Sequence, residues 1–483
     1  MKKNLLKEYI NGRTCTVLGL GVSNLPLCER LLDMGESVSV RDRKTPSEMG
    51  ELAERLAKRG VRFVSGEACF DEIDGEILFR SPGIRPDAHG LESAVAGGAE
   101  LVCEIELFMA LTEATVYGVT GSDGKTTTTT LTGKFLEADS RLRPSGKAFV
   151  GGNIGEPLLY KLDEITKNDR VAIECSSFQL MGAKHAPTFS AITNVSPNHL
   201  DWHRGMEEYV SAKQNIVGDN TERLVTNADC SETARIARDL ALSPRRPDIY
   251  LFSSTKASFS EIFDFPTADG DRALFLKDGR IVISDGNNEI SLLDTARIRV
   301  PGMHNVENFM CAIGLTYGSV DASVFSAVAE EFVGVEHRLE LVRVLDGVEY
   351  YNSSIDSSPT RTEAALSALG ERNVVIICGG YDKKIPYAPL AESLCRHRIR
   401  AAVLTGATAK KIEDALLICP EYKTGAPNYV CVPDFEEAVR TARSLARAGD
   451  CVLLSPASAS FDAFPNFAVR GNTFKKIVND LQN

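Results

Sequence analysis

The segment Thr115-Val-Tyr-Gly-Val-Thr-Gly-Ser-Asp-Gly-Lys-Thr-Thr127 constrains the fold more than any other part of the chain. An apolar, β-rich run passes into a glycine turn, then into Lys125, Thr126 and a stretch of helical character. In that order the backbone N–H groups of the turn and of the first helical turn face an anion, and the lysine adds a point charge. The segment predicts a strand–turn–helix phosphate cradle. Gly121, Ser122, Asp123, Gly124, Lys125, Thr126 and Thr127 would surround a nucleotide, with the Thr126 hydroxyl directed to Mg2+. A strict Gly-x-x-x-x-Gly-Lys-Ser/Thr motif needs glycine at 119, where this chain has Val119 between Gly118 and Gly121. A chance Gly-Lys at an ordinary turn is the competing reading; the strand and helix on either side favour ATP.

At 483 residues the chain is long enough for about three domains. A hydrophobic fraction of 43% and a charged fraction of 25% are those of a soluble globular protein. A net charge of −12 argues against nucleic acid or an anionic membrane as the main partner, while leaving small anionic substrates open. No apolar run reaches membrane-spanning length, and the start, Met1-Lys-Lys-Asn-Leu-Leu-Lys-Glu, lacks the apolar core of a signal peptide. The 12 cysteines form no Cys-x-x-Cys pair and lie mostly in apolar segments. A cytoplasmic monomer with reduced thiols is the expectation.

Upstream, Thr14-Cys-Thr-Val-Leu-Gly-Leu-Gly-Val-Ser-Asn24 reads as a strand ending in Gly19-x-Gly21, followed by a helix over 25–35 and a strand over Ser37–Asp42. This is a βαβ nucleotide-binding opening, although Asn24 replaces the third glycine of the dinucleotide fingerprint. Ile77–Gly83 is another strand with a small-residue end, and the first domain closes near residue 102. In the second domain, 103–334, strands over Val171–Glu174 and Ser190–Val195 end in Glu174-Cys-Ser-Ser and in Ser196-Pro-Asn-His199. Ligands in open α/β sheets lie beyond the carboxyl ends of strands, so Thr126, Glu174 and His199 are expected to converge on one edge, where they suit a divalent metal. Singly, Glu174 reads as a solvated loop acid and His199 as a helix cap. Lys213, on the helix after His199, carries no mark of its own. The segment 264–295 reads as a turn-rich hairpin insertion, and Asn305 and Asn308 share a helix face from which both can meet a base or phosphate. The third domain, 335–483, opens with His337-Arg338 and repeats the strand–helix alternation, its strands ending in Gly379-Gly-Tyr-Asp-Lys383, Thr405-Gly406 and Ser455–Ser460.

The blocks Gly121–Thr127, Gly151-Gly-Asn-Ile-Gly155, Glu174–Leu180, Asn198-His-Leu-Asp201, Gly302–Asn308, His337-Arg338 and Ser455–Phe461, in this order, resemble the Mur ligases. Within that family the resemblance is to the branch that adds D-glutamate to UDP-N-acetylmuramoyl-L-alanine. It implies three α/β domains: a Rossmann-like UDP domain, a central ATP domain with a parallel sheet, and a Rossmann-like amino-acid domain. It implies ATP and Mg2+, with Lys125 and Thr126 on the phosphates and Glu174, His199 and Lys213 at metal, Lys213 as a carbamate. Asn305, Asn308 and Arg338 match ATP contacts, and Asn153 a muramoyl contact. Gly21, Val22, Ser23, Asp42, Arg43, Lys44 and Ser81 match the UDP site. Ser357, Lys383, Ser460, Phe461 and Phe467 match the surroundings of the amino acid. The chain departs from the family pattern at Ser353-Ser-Ile-Asp-Ser357, where Ser353 stands for an acid and Ile355 for a lysine, and at Tyr381-Asp382.

Such an enzyme would phosphorylate a carboxylate with ATP and let an amine attack the acyl phosphate. The rivals are a sibling ligase for another amino acid, a folylpolyglutamate synthase, an ATPase that transfers no acyl group, and a Rossmann oxidoreductase binding NAD at 19–42. The Gly-x-Gly domain and the Ser455–Phe461 block speak against the folate enzyme.

Overall fold

Apart from residues 1–3, 22–23, 145, 156, 201, 423–424 and 483, the whole chain is described by a computed structural model. Val22 and Ser23, expected at the UDP site, and Asp201 lie outside the described residues. The chain forms two compact units: one of Met1–Arg297 with Val306–Ala329, the other of Ile298–Asn305 with Glu330–Asn483.

The first unit holds two sheets. The smaller has β1 (Cys15–Leu18), β2 (Val38–Asp42), β3 (Arg62–Ser65), β4 (Ile77–Arg80) and β5 (Glu100–Val102) in the order β3-β2-β1-β4-β5, all parallel. β1 and β4 are buried at every residue, as strands covered on both faces must be. The strand order reverses between β1 and β4, so the loops after Leu18 and Arg80 line the crevice where this architecture binds ligands.

The larger sheet comprises β6 (Thr115–Thr120), β7 (Ala148–Gly152), β8 (Arg170–Glu174), β9 (Phe189–Ile192), β10 (Arg223–Asn227), β11 (Asp248–Ser253), β12 (Arg272–Lys277), β13 (Arg280–Ser284) and β14 (Glu289–Asp294). Its order is β14-β13-β12-β11-β10-β9-β6-β8-β7. The chain leaves β6 toward β7 and β8, then crosses back to β9, which puts a switch point beyond the ends of β6 and β9. Residues 264–295, expected as a turn-rich hairpin insertion, form the hairpins β12–β13 and β13–β14, and these extend the central sheet. β12 joins β11 in parallel, and the two antiparallel pairings that follow give the polar look, since β14 is an edge with its first three residues exposed.

From the end of β6 the helix Lys125–Leu142 runs back along the sheet. Five consecutive threonines are poor helix formers. Here half-buried Thr130 and buried Thr132 donate their hydroxyls to the carbonyls of Thr126 (2.7 Å) and Thr128 (2.8 Å), so these two hydroxyls are satisfied within the helix. At Gly133 a Cβ would come within 2.3 Å of Val150 Cγ2, so the helix packs directly on β7.

The second unit is a six-stranded sheet: β15 (Glu340–Leu345), β16 (Val348–Asn352), β17 (Val374–Cys378), β18 (Ile399–Leu404), β19 (Asn428–Cys431) and β20 (Cys451–Leu454), in the order β15-β16-β20-β17-β18-β19. Only β15 is antiparallel to its neighbour. The ends of β16, β20 and β17 are therefore adjacent, and so are the loops that carry Ser357, Ser460 and Lys383.

Candidate active site

The turn after β6 is held from the neighbouring strand. Ser122 N–H donates to Asn194 O (2.9 Å) and Asp123 N–H to Asn194 Oδ1 (3.0 Å), while Thr193 Oγ1 donates to Asp123 O (2.5 Å). Gly121, at φ +148°, has room for no side chain, because a Cβ would lie 1.9 Å from Thr193 Oγ1. Gly124 turns at φ +78° against the Asn308 side-chain oxygen, which also accepts from Thr128 Oγ1 (3.3 Å). The Lys125 ammonium folds over its own turn, donating to Gly121 O (2.9 Å) and Ser122 O (2.8 Å). It is half-buried rather than fully exposed, and so is Thr126 at the start of the helix.

Lys213 reaches this turn from the helix Met206–Gln214. It is 1% exposed, donates to Gly121 O at 2.6 Å and lies 4.4 Å from the Tyr209 ring centroid. Burial, and next the charge of Lys125, pull its pKa down to about 6. Lys213 is thus no solvated helix lysine but a neutral amine at pH 7. Tyr209, on the same helix, shares a 2.9 Å hydrogen bond with Ser122 Oγ.

At the end of β8, Glu174 is buried, and its Oε1 accepts from Asn153 Nδ2 at 2.7 Å. The Glu174 Oε2 atom is buried without a hydrogen-bond partner. Gly152 allows this approach: at φ +98° a Cβ there would sit 2.4 Å from Glu174 O. His199 lies on the exposed loop after β9 at φ +54°, its ring edge-on to Phe178, 5.0 Å between centroids.

In the smaller sheet, Asp42 Oδ2 accepts from Leu20 N–H (2.7 Å) and Oδ1 from Lys44 N–H (2.9 Å), joining the end of β2 to the glycine turn. Ser81 N–H donates to Leu18 O (2.8 Å), and the Ser81 hydroxyl faces Gly21, where a Cβ would lie 3.4 Å away. Arg43 and Lys44 are exposed beyond β2. Gly21, Asp42, Lys44 and Ser81 so meet around one crevice.

In the second unit, Lys383 Nζ donates to Ser357 Oγ (3.1 Å), and Tyr381 N–H to Ala459 O (2.9 Å), which lays the Lys383 loop beside Ser460. Ser460 is buried, Phe461 is exposed with its ring against Tyr381, and the Phe467 carbonyl accepts from Ser354 Oγ (2.8 Å). His337 is buried and bonded to Asn352 (2.9 Å), whereas its neighbour Arg338 is half-buried. Asn305 Nδ2 donates to Pro301 O (2.6 Å) at the start of the helix Met303–Thr316.

Comparison with known proteins gives the family. Residues 119–316 match the Mur ligase middle domain and residues 337–458 the Mur ligase glutamate ligase domain. A UDP-N-acetylmuramoylalanine–D-glutamate ligase of Clostridium beijerinckii is 42% identical over 100% of both chains. One of Acetivibrio thermocellus is 41% identical over 100% of this chain and 99% of its own. The chain belongs to the Mur ligase family. Among solved structures, the UDP-N-acetylmuramate–alanine ligase of Thermotoga maritima shares the fold at a TM-score of 0.55 and 19% identity, covering 97% of this chain and 99% of its own. This agrees with the α/β architecture expected for the family.

Among the described residues no three His, Cys, Asp or Glu side chains cluster at metal-binding distance. Mg2+ is held in proteins through as few as one or two carboxylate oxygens. The orphaned Glu174 Oε2 is an oxygen of the kind such an ion needs. Among the described residues no helix is long and apolar enough to cross a membrane.

Several residues that shape the site carry no sequence signal. Asn24, read as a defect in the glycine fingerprint, is fully buried and donates to the carbonyls of Leu18 (3.2 Å), Gly19 (3.0 Å) and Phe79 (3.1 Å), clamping β1 to β4. His203 rather than His199 is the buried histidine of its loop, bonded to Ser177 Oγ (2.9 Å) and stacked on Phe178. Thr193 and Asn194 hold the phosphate turn, and only their place at the end of a strand beside β6 could have marked them.

Proposed function

We propose that this chain uses ATP to join D-glutamate to UDP-N-acetylmuramoyl-L-alanine through an acyl phosphate, a step in peptidoglycan precursor synthesis. The observation that carries the reading is the meeting of the phosphate turn, buried Lys213 and the Glu174–Asn153 pair around one sheet's switch point. The names of relatives at about 40% identity over the full chain point to the same substrates. We divide the chain into 1–102 for UDP, 103–334 for ATP and 335–483 for the amino acid, in keeping with one sheet in each.

A carboxylate does not condense with an amine at useful rates, so it must first be activated. The muramoyl-alanine carboxylate attacks the γ-phosphorus of ATP in line, ADP leaves, and an acyl phosphate forms. Lys125 exchanges its two turn carbonyls for phosphate oxygens, and the N–H groups of 121–127 hold the β- and γ-phosphates. A bound Mg2+ would supply charge neutralisation on the transferring phosphoryl group. Thr126, Glu174, His199 and Lys213 would hold the metal, Lys213 after its neutral amine has added CO2 to give a carbamate. Asn305, Asn308 and Arg338 bind the rest of ATP. Asn153, oriented by Glu174, meets the muramoyl substrate, whose uridine nucleotide sits at Gly21, Asp42–Lys44 and Ser81. Lys383, Ser357 and Ser460, with Phe461 and Phe467 beside them, hold D-glutamate while its free amine attacks the acyl carbon and phosphate leaves.

The test is ADP release with UDP-N-acetylmuramoyl-L-alanine as acceptor across a panel of amino acids. Release that requires the acceptor and is greatest with D-glutamate is expected. A preference for L-lysine, L-alanine or a diamino acid would move the enzyme to a sibling activity. ADP release at an unchanged rate without acceptor or amino acid would leave only an ATPase.

A further inference from the structure

The loop Ser353–Ser358 after β16 is gripped by three basic side chains. Arg470, 2% exposed, donates from Nε to Ser354 Oγ (3.0 Å) and from Nη2 to Ser354 O (2.8 Å), and ties in Ser458 O (3.1 Å) and Ala459 O (2.9 Å). Arg361, exposed in the first turn of the helix Pro359–Leu369, donates from Nη1 to Ile355 O (3.1 Å). Lys383, exposed after β17, donates to Ser357 Oγ (3.1 Å). Among the described residues none of the three has a carboxylate within ion-pair distance. The loop's one acid, Asp356, is 6% exposed and turned inward, its Oδ2 accepting from Ser455 Oγ (2.9 Å).

A protein surface with a net charge of −12 has acids to spare for its bases, and most of its arginines are paired with one. Three cations without an ion-pair partner on one short loop repel one another, offset in part by Asp356, which acts on Arg361 and Arg470, and by Asp462, which acts on Arg470. Burial, together with Arg361 and Arg470, lowers the pKa of Lys383. An anion bound between Arg361 and Lys383 relieves that repulsion. Their anchors, Ile355 and Ser357, are two residues apart, so along the loop they are separated by at most about 7 Å. That is a fit for a short molecule with two carboxylates. Buried Arg470 faces carbonyls and a hydroxyl and serves as the frame; the exposed pair has donors left for a ligand.

We propose that Arg361 reads the substrate: with Lys383 it forms a two-cation seat that receives the two carboxylates of an acidic amino acid, one on each. This rests on the D-glutamate reading above and adds to it a residue that composition and motif left unmarked. It also accounts for the lack of a charged side chain at Ile355, since the second cation reaches the same loop from the next helix.

The experiment uses the full chain and follows ADP release with Arg361→Gln and Arg361→Lys. Arg361→Gln should raise the KM for D-glutamate about tenfold or more, the loss of one charge-assisted contact, with KM for ATP and for UDP-N-acetylmuramoyl-L-alanine within about twofold of wild type. Arg361→Lys should recover part of the loss. Of the two monoamides of D-glutamate, the one lacking the carboxylate that Arg361 reads should be discriminated against by wild type and not by Arg361→Gln. An unchanged KM for D-glutamate in Arg361→Gln, unchanged discrimination against both monoamides, or an equal rise in the KM for ATP overturns the proposal alone. A wild type that ignores D-glutamate and takes a monocarboxylic amino acid overturns it together with the parent reading. Arg361 is exposed and makes one backbone hydrogen bond, so the melting temperature should not change; a large drop in both variants would assign it a structural role and also overturn the proposal.

Discussion

Lys213 Nζ lies 2.6 Å from the carbonyl oxygen of Gly121, the residue that opens the phosphate turn. A lysine buried to 1% exposure beside the Lys125 ammonium cannot easily keep its proton, and its pKa falls to about 6. The amine is therefore neutral above about pH 6 and can add CO2; as pH falls through 6 it protonates and carbamate formation stops. Enzyme equilibrated with 13C-bicarbonate at pH 8 should show a carbamate carbon signal that is absent at pH 5 and absent in Lys213→Ala. That variant should be nearly inactive and partly restored by short carboxylic acids. The same shift fixes a stability trend: the unfolded chain binds the proton up to about pH 10 and the folded one does not, so stability rises with pH between the two. Full activity in Lys213→Ala would sink the assignment.

Lys125 donates hydrogen bonds to its own turn, to Gly121 O and Ser122 O. Removing it should leave the fold intact and cost the transition state a cation. Lys125→Ala should lower kcat by at least about a hundredfold, the scale seen when one preorganised donor to developing charge is removed. Circular dichroism should be unchanged. A folded variant with near wild-type turnover would remove the phosphate-loop reading.

Gly124 tests how tightly the turn is built. Its φ of +78° strains any L side chain, and an added Cβ would meet Asn308 Oδ1 at 2.3 Å. Gly124→Ala should raise the KM for ATP and destabilise the protein by about 1 kcal/mol or more from the backbone alone. In the Gly124→Ala/Asn308→Ala pair the collision is gone while the strain stays. The stability losses should then sum to less than the two single effects, a coupling that thermal melting can read. Strict additivity would show that the two residues do not meet.

How much of this was legible depended on whether a residue acts through its neighbours in sequence or across the sheet. The phosphate turn was legible because strand, glycine turn and lysine are contiguous. The strand ends at Glu174, Cys378 and Leu454 were found because buried parallel strands are apolar runs that stop where the loop begins. The hairpins of segment 264–295 were legible from their turns, whereas the parallel pairing that joins β12 to β11 and makes them part of the central sheet leaves no local trace. The clamp that Asn24 makes was not legible because one of its three acceptors, Phe79 O, lies 55 residues away on another strand.

That last case can be measured. Asn24→Gly restores the third glycine of a dinucleotide fingerprint, so a motif-based view expects it to be harmless or to favour NAD. The structure says otherwise, because the change removes the donor to three carbonyls, those of Leu18 and Phe79 in buried hydrogen bonds and that of Gly19 in a half-buried one. A loss of about 1–3 kcal/mol in urea unfolding is expected, with no NAD binding gained. A variant as stable as wild type would show that the amide contributes nothing to the β1–β4 crevice.

Trp202 is the chain's one tryptophan, and it sits between the proposed uridine-nucleotide and metal loops. Its indole N–H donates to Gly83 O (3.2 Å), two residues beyond Ser81, and the Arg85 guanidinium lies 5.1 Å from its ring. Arg85 also donates to Trp202 O (2.8 Å), to both oxygens of Glu208 (2.8 and 3.1 Å) and to Asp87 (2.8 Å). Arg85 and backbone bonding hold the Glu208 carboxyl down at about pH 2. A carboxylate so depressed contributes its stabilisation above its unfolded pKa and loses it only as pH falls through about 2, so the clamp is intact across the working range. A ligand seated at Ser81 must therefore be felt by the indole. Adding UDP-N-acetylmuramoyl-L-alanine without ATP should change the tryptophan emission saturably, and ADP alone should change it less. In Arg85→Ala the cation over the ring is lost, so the baseline emission should shift and the response to the nucleotide substrate should shrink. A substrate that binds by calorimetry yet leaves the emission of wild type untouched would place the uridine site away from Ser81.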